Sequence, residues 1–254
     1  HKISISVSDI AGHSEAFSFF IRKKSTSINK EKKTNACRDA VFYPRSNNFY
    51  RSSNLVLEVP ARTLYDTLEF CFDILKEKER NSYSPVYKIH DQYTPLHRSF
   101  SLSIKPEKVP EKLQNKLLLA YFNKEGNIHS AGGEYGNGYV TARNNNFGNY
   151  FVAFDSVAPT IKALNISHDG TVKDTFGLKF RIDDNFSGIA TYRGTINGKW
   201  VLMDYDPKND LLVYEFDEKT LRNEKLDFNL IVTDKKGNST TFKKEILFKY
   251  KSND

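Results

Sequence analysis

The stretch FNLIVTDKKGNS, residues 228–239, decides the fold that the sequence predicts. Phe228, Leu230 and Val232 occupy alternate positions, which is the pattern of a β-strand with one face on a core. The D-x-x-G segment that follows is typical of a tight turn, because the Asp can bind nearby backbone amides and the Gly accepts a positive φ. We therefore predict a β-hairpin whose second strand passes through Phe242.

The same pattern occurs at the start of the chain, where residues 3–14 are ISISVSDIAGHS. Phe17 follows this copy at the position that Phe242 has in the other. A strand, a D-x-x-G turn and a second strand are the terminal hairpin of a β-sandwich. We predict that the second copy closes a full domain and that the first closes a domain that this sequence mostly lacks.

The predicted fold class is all-β, with tandem β-sandwiches. Residues 1–25 are the terminal hairpin of a truncated immunoglobulin-like domain, residues 26–154 form a middle sandwich of about eight strands, and residues 155–254 form an immunoglobulin-like sandwich. The strands predicted in the middle sandwich are residues 41–43, 55–59, 68–74, 87–89, 100–104, 116–121, 139–142 and 150–154. Seven short strands in about 95 residues, among them 189–196, favour the immunoglobulin-like assignment for the last domain.

The composition is that of a folded chain. The 254 residues carry 38 Lys+Arg and 31 Asp+Glu, which gives a formal net charge of +7, and 39% of them are hydrophobic. No apolar run approaches the roughly 20 residues of a membrane helix, so we predict no membrane span. His1 opens directly into a strand without Met or a signal peptide, so we expect a piece of a longer polypeptide.

Four local features are predicted within the domains. Trp200, the only tryptophan, is expected to anchor a core or to pair across two strands. Pro60–Tyr65 is expected to form one helical turn. Leu68–Ile74 and Lys199–Tyr205 are each expected to be a single strand.

Basic residues cluster at residues 23–38 and again near the C-terminus. A solvated face or linker explains such runs, and binding to a polyanion is the alternative. We predict no nucleic-acid partner, because the sequence has no zinc-finger spacing, no RNP-like aromatic motif and no basic helix.

Two cysteines, Cys37 and Cys71, are too few for a disulfide framework. Cys71 lies in an apolar run, where a small buried thiol is expected. A Cys37–Cys71 bridge in an oxidising compartment is the alternative, since nothing in the sequence fixes the spacing of the two Cα atoms.

The metal candidates are two groups of residues. His90 and His97, with His129 and Glu134 further on, could share a metal, although loop histidines more often bind backbone groups. Asp183 and Asp184 lie in the segment DDNFSG and could help to bind Ca²⁺ near a domain junction with Asp155. The alternative for that segment is a turn whose side chains bind their own backbone.

Exposed tyrosines in loop-rich stretches would suit a glycan-binding surface, and Tyr93 and Tyr135 are the candidates. Packing in the core or at its rim, with a bonded hydroxyl group, is the alternative for such residues. An enzyme would require an unrecognised carboxylate or histidine site in the middle domain, near His90, His97 and Glu134.

Longer strings in the chain resemble a known family. In the last domain they are DSVAPTI (155–161), DDNFSGIATYRGTINGKWV (183–201) and DKKGNS (234–239). In the middle domain they are VLEVPARTLYD (56–66), YSPVYKIH (83–90), TPLH (94–97) and FGNYFVAFD (147–155). These strings resemble the immunoglobulin-like C-terminal region of secreted Gram-negative proteins whose N-terminal part is a lysostaphin-type (LytM-like) zinc metallopeptidase acting on peptidoglycan.

The resemblance implies a non-catalytic accessory region that positions or regulates a peptidase domain of the same polypeptide. Zinc would then belong only to that catalytic domain, because the family's His and Asp at their usual spacing and its H-x-H motif are absent from this sequence. Peptidoglycan or an envelope protein would be the partner, and the periplasm or outer envelope the location. The alternative function is a glycan-binding module in its own right, and an unrecognised hydrolase is the third.

Overall fold

The computed structural model describes residues 1–22, 37–75, 82–172, 176–217 and 225–247. Their regular structure is β-strand apart from one short 3-10 helix, Glu111–Lys116. The predicted all-β class with tandem sandwiches is therefore confirmed. The chain divides into two compact units, His1–Ala36 and Cys37–Asp254.

The described residues of the first unit form a β-hairpin of strands β1 (Lys2–Ser8) and β2 (Ser14–Phe20). The two strands are antiparallel, with Ile5 opposite Phe17. Residues directly opposite each other share a face, so this pair lies on the same side of the ribbon.

The middle sandwich contains two five-stranded sheets and a two-stranded ladder. Its described strands are β3 (Ala40–Phe42), β4 (Asn48–Ser52), β5 (Leu55–Val59), β6 (Leu68–Phe70), β7 (Phe72–Leu75), β8 (Val86–Ile89), β9 (Phe100–Ile104), β10 (Leu117–Phe122), β11 (Ile128–Gly132), β12 (Glu134–Gly136), β13 (Tyr139–Asn144) and β14 (Gly148–Phe154). The sheet orders are β11-β10-β14-β8-β7 and β12-β13-β9-β5-β4, and β3 pairs with β6.

The middle core lies between the two five-stranded sheets. Leu57 pairs with Leu102 in one sheet and Leu119 pairs with Val152 in the other, and all four side chains are fully buried. Burying such side chains contributes about 1.5–3 kcal/mol each, which makes this alternation the main source of the fold's stability.

The last sandwich contains two four-stranded sheets. Its described strands are β15 (Thr160–Ala163), β16 (Gly177–Asp183), β17 (Ile189–Ile196), β18 (Lys199–Val201), β19 (Asp204–Asp206), β20 (Leu211–Glu215), β21 (Lys225–Asp234) and β22 (Ser239–Leu247). The sheet orders are β15-β16-β20-β19 and β18-β17-β21-β22. Phe180 of the first sheet stacks on Phe228 of the second, with ring centroids 5.3 Å apart.

Trp200 pairs across two strands with Thr195, which is the second of its two expected roles, and at 59% exposed it does not anchor the core. Other local predictions are wrong. The predicted strand Lys199–Tyr205 is split, since β18 pairs with β17 whereas β19 pairs with β20 of the other sheet. The chain thus changes sheets at buried Met203.

In the middle domain, the predicted strand Leu68–Ile74 is interrupted at Cys71. Pro60–Tyr65 forms turns rather than a helical turn, and Leu64 makes a bridge to Leu96. The described residues there form twelve strands rather than about eight. The strands missed are β4, β11 and β12, each of which is short and lies at the edge of its sheet.

Most of the N-terminal basic cluster falls within residues 23–36, outside the described residues. Arg38, its last member, lies 3.7 Å from Glu69. No helix in the described residues is long and apolar enough to cross a membrane.

Candidate cation site at the junction of the two sandwiches

The turn of the last hairpin, residues 234–238, is organised by Asp234. One carboxylate oxygen of Asp234 accepts hydrogen bonds from the backbone N–H groups of Lys236 (2.7 Å) and Asn238 (2.9 Å). Gly237 completes the turn with φ 72°, a conformation that glycine adopts without a steric penalty. The sequence therefore fixes this turn locally through two side-chain-to-backbone hydrogen bonds and one glycine.

The first hairpin has the same turn, as its sequence predicts. Asp9 accepts hydrogen bonds from the backbone N–H groups of Ala11 and His13, both at 2.9 Å. The His13 ring nitrogen lies 2.9 Å from the second carboxylate oxygen, and this contact is the main cause of the lowered pKa of Asp9. The two copies thus share one geometry, and they differ in which side chain contacts the Asp.

In the last hairpin, Asn238 stands at the position that His13 has in the first hairpin, and its side chain bridges the two sandwiches. Its side-chain amide donates to the second carboxylate oxygen of Asp234 (2.6 Å) and to the backbone carbonyl of Asp155 (3.1 Å). Asp155 directly follows β14, the last strand of the middle sandwich. One asparagine therefore fastens the hairpin turn to the end of the preceding domain.

Lys236 makes the second connection. Lys236 is 4% exposed, and its ammonium group donates a hydrogen bond to the carbonyl oxygen of Gly133 in the middle sandwich. It also lies 3.4 Å from the exposed carboxylate of Glu134. In return, the Lys116 ammonium donates to the carbonyl oxygen of Lys236 at 2.6 Å. Each sandwich thus supplies a lysine that binds a backbone carbonyl of the other side of the junction.

Three carboxylates converge beside these contacts. Asp155, Asp184 and Asp234 each offer one oxygen, and the three oxygens lie within 4.8 Å of one another. Asp155 and Asp234 are each only 2% exposed. The three residues come from separate segments, after β14, after β16 and at the end of β21, so the cluster is built by the tertiary fold.

Backbone amides satisfy most of these carboxylate oxygens. Asp155 accepts from Val157 and Ser187, at 3.1 and 3.0 Å, and Asp184 accepts through one oxygen from Phe186 and Gly188. The other Asp184 oxygen is buried without a hydrogen-bond partner, as is the hydroxyl oxygen of Ser187. Among the described residues, no Lys or Arg forms an ion pair with any of the three carboxylates.

The chemistry of this donor set fits a hard divalent cation. Three carboxylates within 4.8 Å, two of them buried, repel one another, and removing such charges from water costs several kcal/mol per ion unless a counter-charge is present. Ca²⁺ prefers carboxylate and other oxygen ligands and tolerates irregular geometry. Asp155, Asp184 and Asp234 are the residues that would hold it.

The structure places the two predicted calcium candidates differently. Asp184 joins Asp155 at the junction, whereas Asp183 is exposed, pairs with Thr160 in the sheet and lies outside the cluster. Asp234 was interpreted from the sequence only as a turn residue. Its place in the buried cluster could have been inferred from the alternation of β21. Asp234 continues the series of alternate positions Phe228, Leu230 and Val232, whose side chains are buried.

The two histidine candidates have different neighbours. His90 accepts a hydrogen bond from the Cys71 N–H at 3.2 Å and packs against the rings of Phe70 and Phe147. Burial lowers the pKa of His90 below its usual value. His97 is exposed and contacts Tyr65 edge-on. The one group of three ligand residues found among the described residues includes neither histidine.

The two tyrosine candidates also differ. Tyr93 is 66% exposed, and the Lys124 ammonium lies 5.1 Å from the centre of its ring. It borders a surface pocket of about 450 Å³ that polar residues line, among them Asp91, Gln92 and Asn149. Tyr135, in contrast, is half-buried and packs against the middle core.

Comparison with known families finds a similarity in the middle sandwich. Residues 39–155 match the Zu5-like domain family, a region that begins just before β3 and ends at Asp155 of the carboxylate cluster. No curated protein matches the chain. The matched region is thus similar to a Zu5-like domain, and the last sandwich lies outside it.

Proposed function

We propose that residues 37–247 are a non-catalytic accessory and interaction region whose two sandwiches are held in one fixed orientation. The observation that carries this proposal is the reciprocal pair of lysines at the junction, Lys236 to Gly133 and Lys116 to Lys236. Hydrogen bonds from charged groups contribute about 1.5–3 kcal/mol each, which is enough to favour one domain arrangement. A positioning element needs such a fixed arrangement.

The finer part of the proposal is the biological setting. We assign the region to a cell-envelope peptidase that acts on peptidoglycan, in the periplasm or at the outer envelope, where it positions or regulates the catalytic domain of the same polypeptide. The support is the resemblance of the sequence strings at 56–66, 147–161, 183–201 and 234–239.

The proposal includes Ca²⁺ as a structural ion at Asp155, Asp184 and Asp234. The support is their mutual distance, the burial of two of them, and the buried Asp184 oxygen and Ser187 hydroxyl that have no hydrogen-bond partner. A cation there would neutralise carboxylates from both sandwiches, since Asp155 ends the middle one and the other two belong to the last.

The direct test is retention of the full chain on insoluble peptidoglycan at low and at moderate salt. Retention that survives moderate salt is expected for a wall-associated region, because a specific contact is screened less than a diffuse attraction of lysines. Retention that disappears at moderate salt, or none at all, contradicts wall association. Zinc-dependent cleavage of muropeptides by the isolated chain would contradict the non-catalytic assignment.

Glycan binding in its own right is the second candidate function, and the surroundings of Tyr93 favour it. An exposed ring beside a polar pocket offers a sugar both a stacking surface and hydrogen-bond partners. If this function is correct, Tyr93→Ala weakens peptidoglycan binding at least several-fold without lowering the melting temperature. Tyr135→Ala is the matched control, because it removes packing from the core and lowers stability rather than affinity. Equal binding by Tyr93→Ala and the unmodified chain would exclude Tyr93 as a glycan ligand.

A further inference from the structure

The two cysteines of the chain come together at one edge of the middle sandwich. Cys37 precedes β3 and Cys71 lies between β6 and β7, and these segments are held side by side by the β3–β6 ladder. Ala40 is opposite Phe70 in that ladder, and the Asp39 N–H continues it by donating to the Phe70 carbonyl at 2.9 Å. The backbone pairing therefore brings Cys37 next to Cys71 across 34 positions of sequence.

The Cys71 side chain is already in contact with the backbone of Cys37. The Cys71 thiol donates to the backbone carbonyl of Cys37, with sulfur and oxygen 2.7 Å apart. The Cys37 thiol donates to a carboxylate oxygen of Asp39 at 3.1 Å, and the same oxygen accepts from the Phe72 N–H. Asp39 thus ties Cys37 to the start of β7, directly beside Cys71.

Both thiols are accessible to a reagent in solution. Cys37 is exposed and Cys71 is partly exposed. A surface pocket of about 510 Å³ opens beside them and is lined by both cysteines and by Asp39, Asp73 and His90. A small disulfide, or the active-site loop of an oxidoreductase, can therefore approach either sulfur.

We propose that Cys37 and Cys71 are a redox modification site that forms an intramolecular disulfide on contact with a disulfide oxidant. The bridge would fasten the segment that enters the middle sandwich to the bend between β6 and β7. This inference stands on the geometry of the β3–β6 edge and does not depend on the proposed function. Disulfides persist in oxidising compartments, so the bridge would be retained in the extracytoplasmic location proposed above.

The exchange proceeds in two steps. The thiolate of one cysteine attacks the oxidant, displaces one of its thiolates and forms a mixed disulfide. The other cysteine then gives up its proton and attacks the sulfur of the first, which releases the second thiol of the oxidant. The neighbouring Cys71 thiol, and then Asp39, raise the pKa of Cys37 above its usual value. Two thiols of the protein become one disulfide, and the disulfide of the oxidant becomes two thiols.

The test uses the full chain, reduced and then equilibrated in mixtures of reduced and oxidised glutathione. We expect the number of titratable thiols to fall from two to none, and a peptide map to show residues 37 and 71 in one linked pair within a monomer. The oxidised form should melt roughly 5–10 °C above the reduced form, because the bridge restricts the unfolded chain.

Three variants separate the bridge from its alternatives. Cys37→Ser and Cys71→Ser should each lose the difference in melting temperature between oxidised and reduced conditions, and so should the double variant. Two free thiols at equilibrium with oxidised glutathione would overturn the proposal. So would glutathione adducts or cross-linked dimers as the only oxidised products.

Discussion

The ammonium group of Lys236 donates a hydrogen bond to the carbonyl oxygen of Gly133, 103 residues earlier in the chain, and this bond joins the last sandwich to the middle one. The lysine comes from the terminal hairpin turn, and the carbonyl belongs to the residue between β11 and β12. The hairpin therefore closes its own domain and also holds the preceding one.

Replacing Lys236 tests this connection. Lys236→Met keeps the length of the side chain but leaves the Gly133 carbonyl without its donor, which costs about 1–3 kcal/mol. We expect the free energy of unfolding of the described unit to fall by that amount in a denaturant titration. Lys235→Met, the exposed neighbour in the same turn, is the control and should change stability by less than about 0.5 kcal/mol. An equal loss in both variants would contradict a specific role for Lys236.

Gly133 itself should not tolerate a side chain. A Cβ at this position would lie 2.7 Å from the carbonyl oxygen of Thr141, and the residue has φ 105°. Gly133→Ala should therefore destabilise the chain by about 2–4 kcal/mol, from steric overlap and backbone strain together.

The neighbouring glycine provides the control for that substitution. Gly132 has φ 71°, but a Cβ there would meet no atom within 4 Å. Gly132→Ala should cost only about 1–2 kcal/mol. Calorimetry of the two variants decides the point, and a Gly133→Ala protein as stable as Gly132→Ala would show that the Thr141 contact relaxes without cost.

Calcium should raise the melting temperature of the full chain. At a concentration about 100 times its dissociation constant, a ligand that binds only the folded state contributes about 2.7 kcal/mol. Asp184→Asn should abolish the increase, because it removes one of the three carboxylates. Asp183→Asn, which alters the exposed neighbour, should keep it. No increase in millimolar Ca²⁺, or an equal increase in the two variants, would exclude the site.

His90 should make stability depend on pH. Burial lowers its pKa in the folded state; Asp91 raises it by a smaller amount and Lys88 lowers it further, so the folded chain keeps the ring neutral where the unfolded chain protonates it. Its contribution is therefore present above the usual pKa of about 6.5 and is lost as the pH falls through the folded pKa.

The measurement is the free energy of unfolding between pH 4.5 and 7.5. Relative to His90→Asn, the unmodified chain should lose stability on acidification, with a slope of up to about 1.4 kcal/mol per pH unit. Asn suits this position because it tolerates the positive φ of 53° and can accept the Cys71 N–H through its side-chain oxygen. His97→Asn, at an exposed histidine, should follow the unmodified chain. If the free energy of unfolding depends on pH in the same way for all three proteins, His90 is not the cause of the pH dependence.

The sequence predicted the strands that carry the core, because their buried residues alternate with period two. Leu55–Val59, Phe100–Ile104 and Ile189–Ile196 have the predicted bounds. The edge strands β11 and β12 were missed because they are short and contain glycine, and their pairing depends on neighbours that are distant in sequence. The break at Met203 also depends on residues that are distant in sequence, because β18 and β19 pair with strands of different sheets.

The junction could be predicted in part. The acidic turn at Asp184 was predicted to share a calcium site with Asp155 near a domain junction, and the structure brings these two carboxylates together. The roles of Lys236 and Gly133 could not be inferred, since a lysine in a turn is usually exposed and only the tertiary fold buries this one. The turn at Asp234 could be predicted from its local sequence. Its place in the carboxylate cluster could not, because that depends on how the two sandwiches pack.

The distance between spin labels on the two sandwiches tests the fixed orientation most directly. Labels on Glu125→Cys in the middle sandwich and Lys208→Cys in the last, in a Cys37→Ser and Cys71→Ser background, report that distance in the full chain. Both positions are in exposed turns. The account predicts one narrow distance distribution, which broadens when Lys236→Met is added. A broad or multiple distribution with Lys236 intact would contradict the claim that the two sandwiches act as one rigid body.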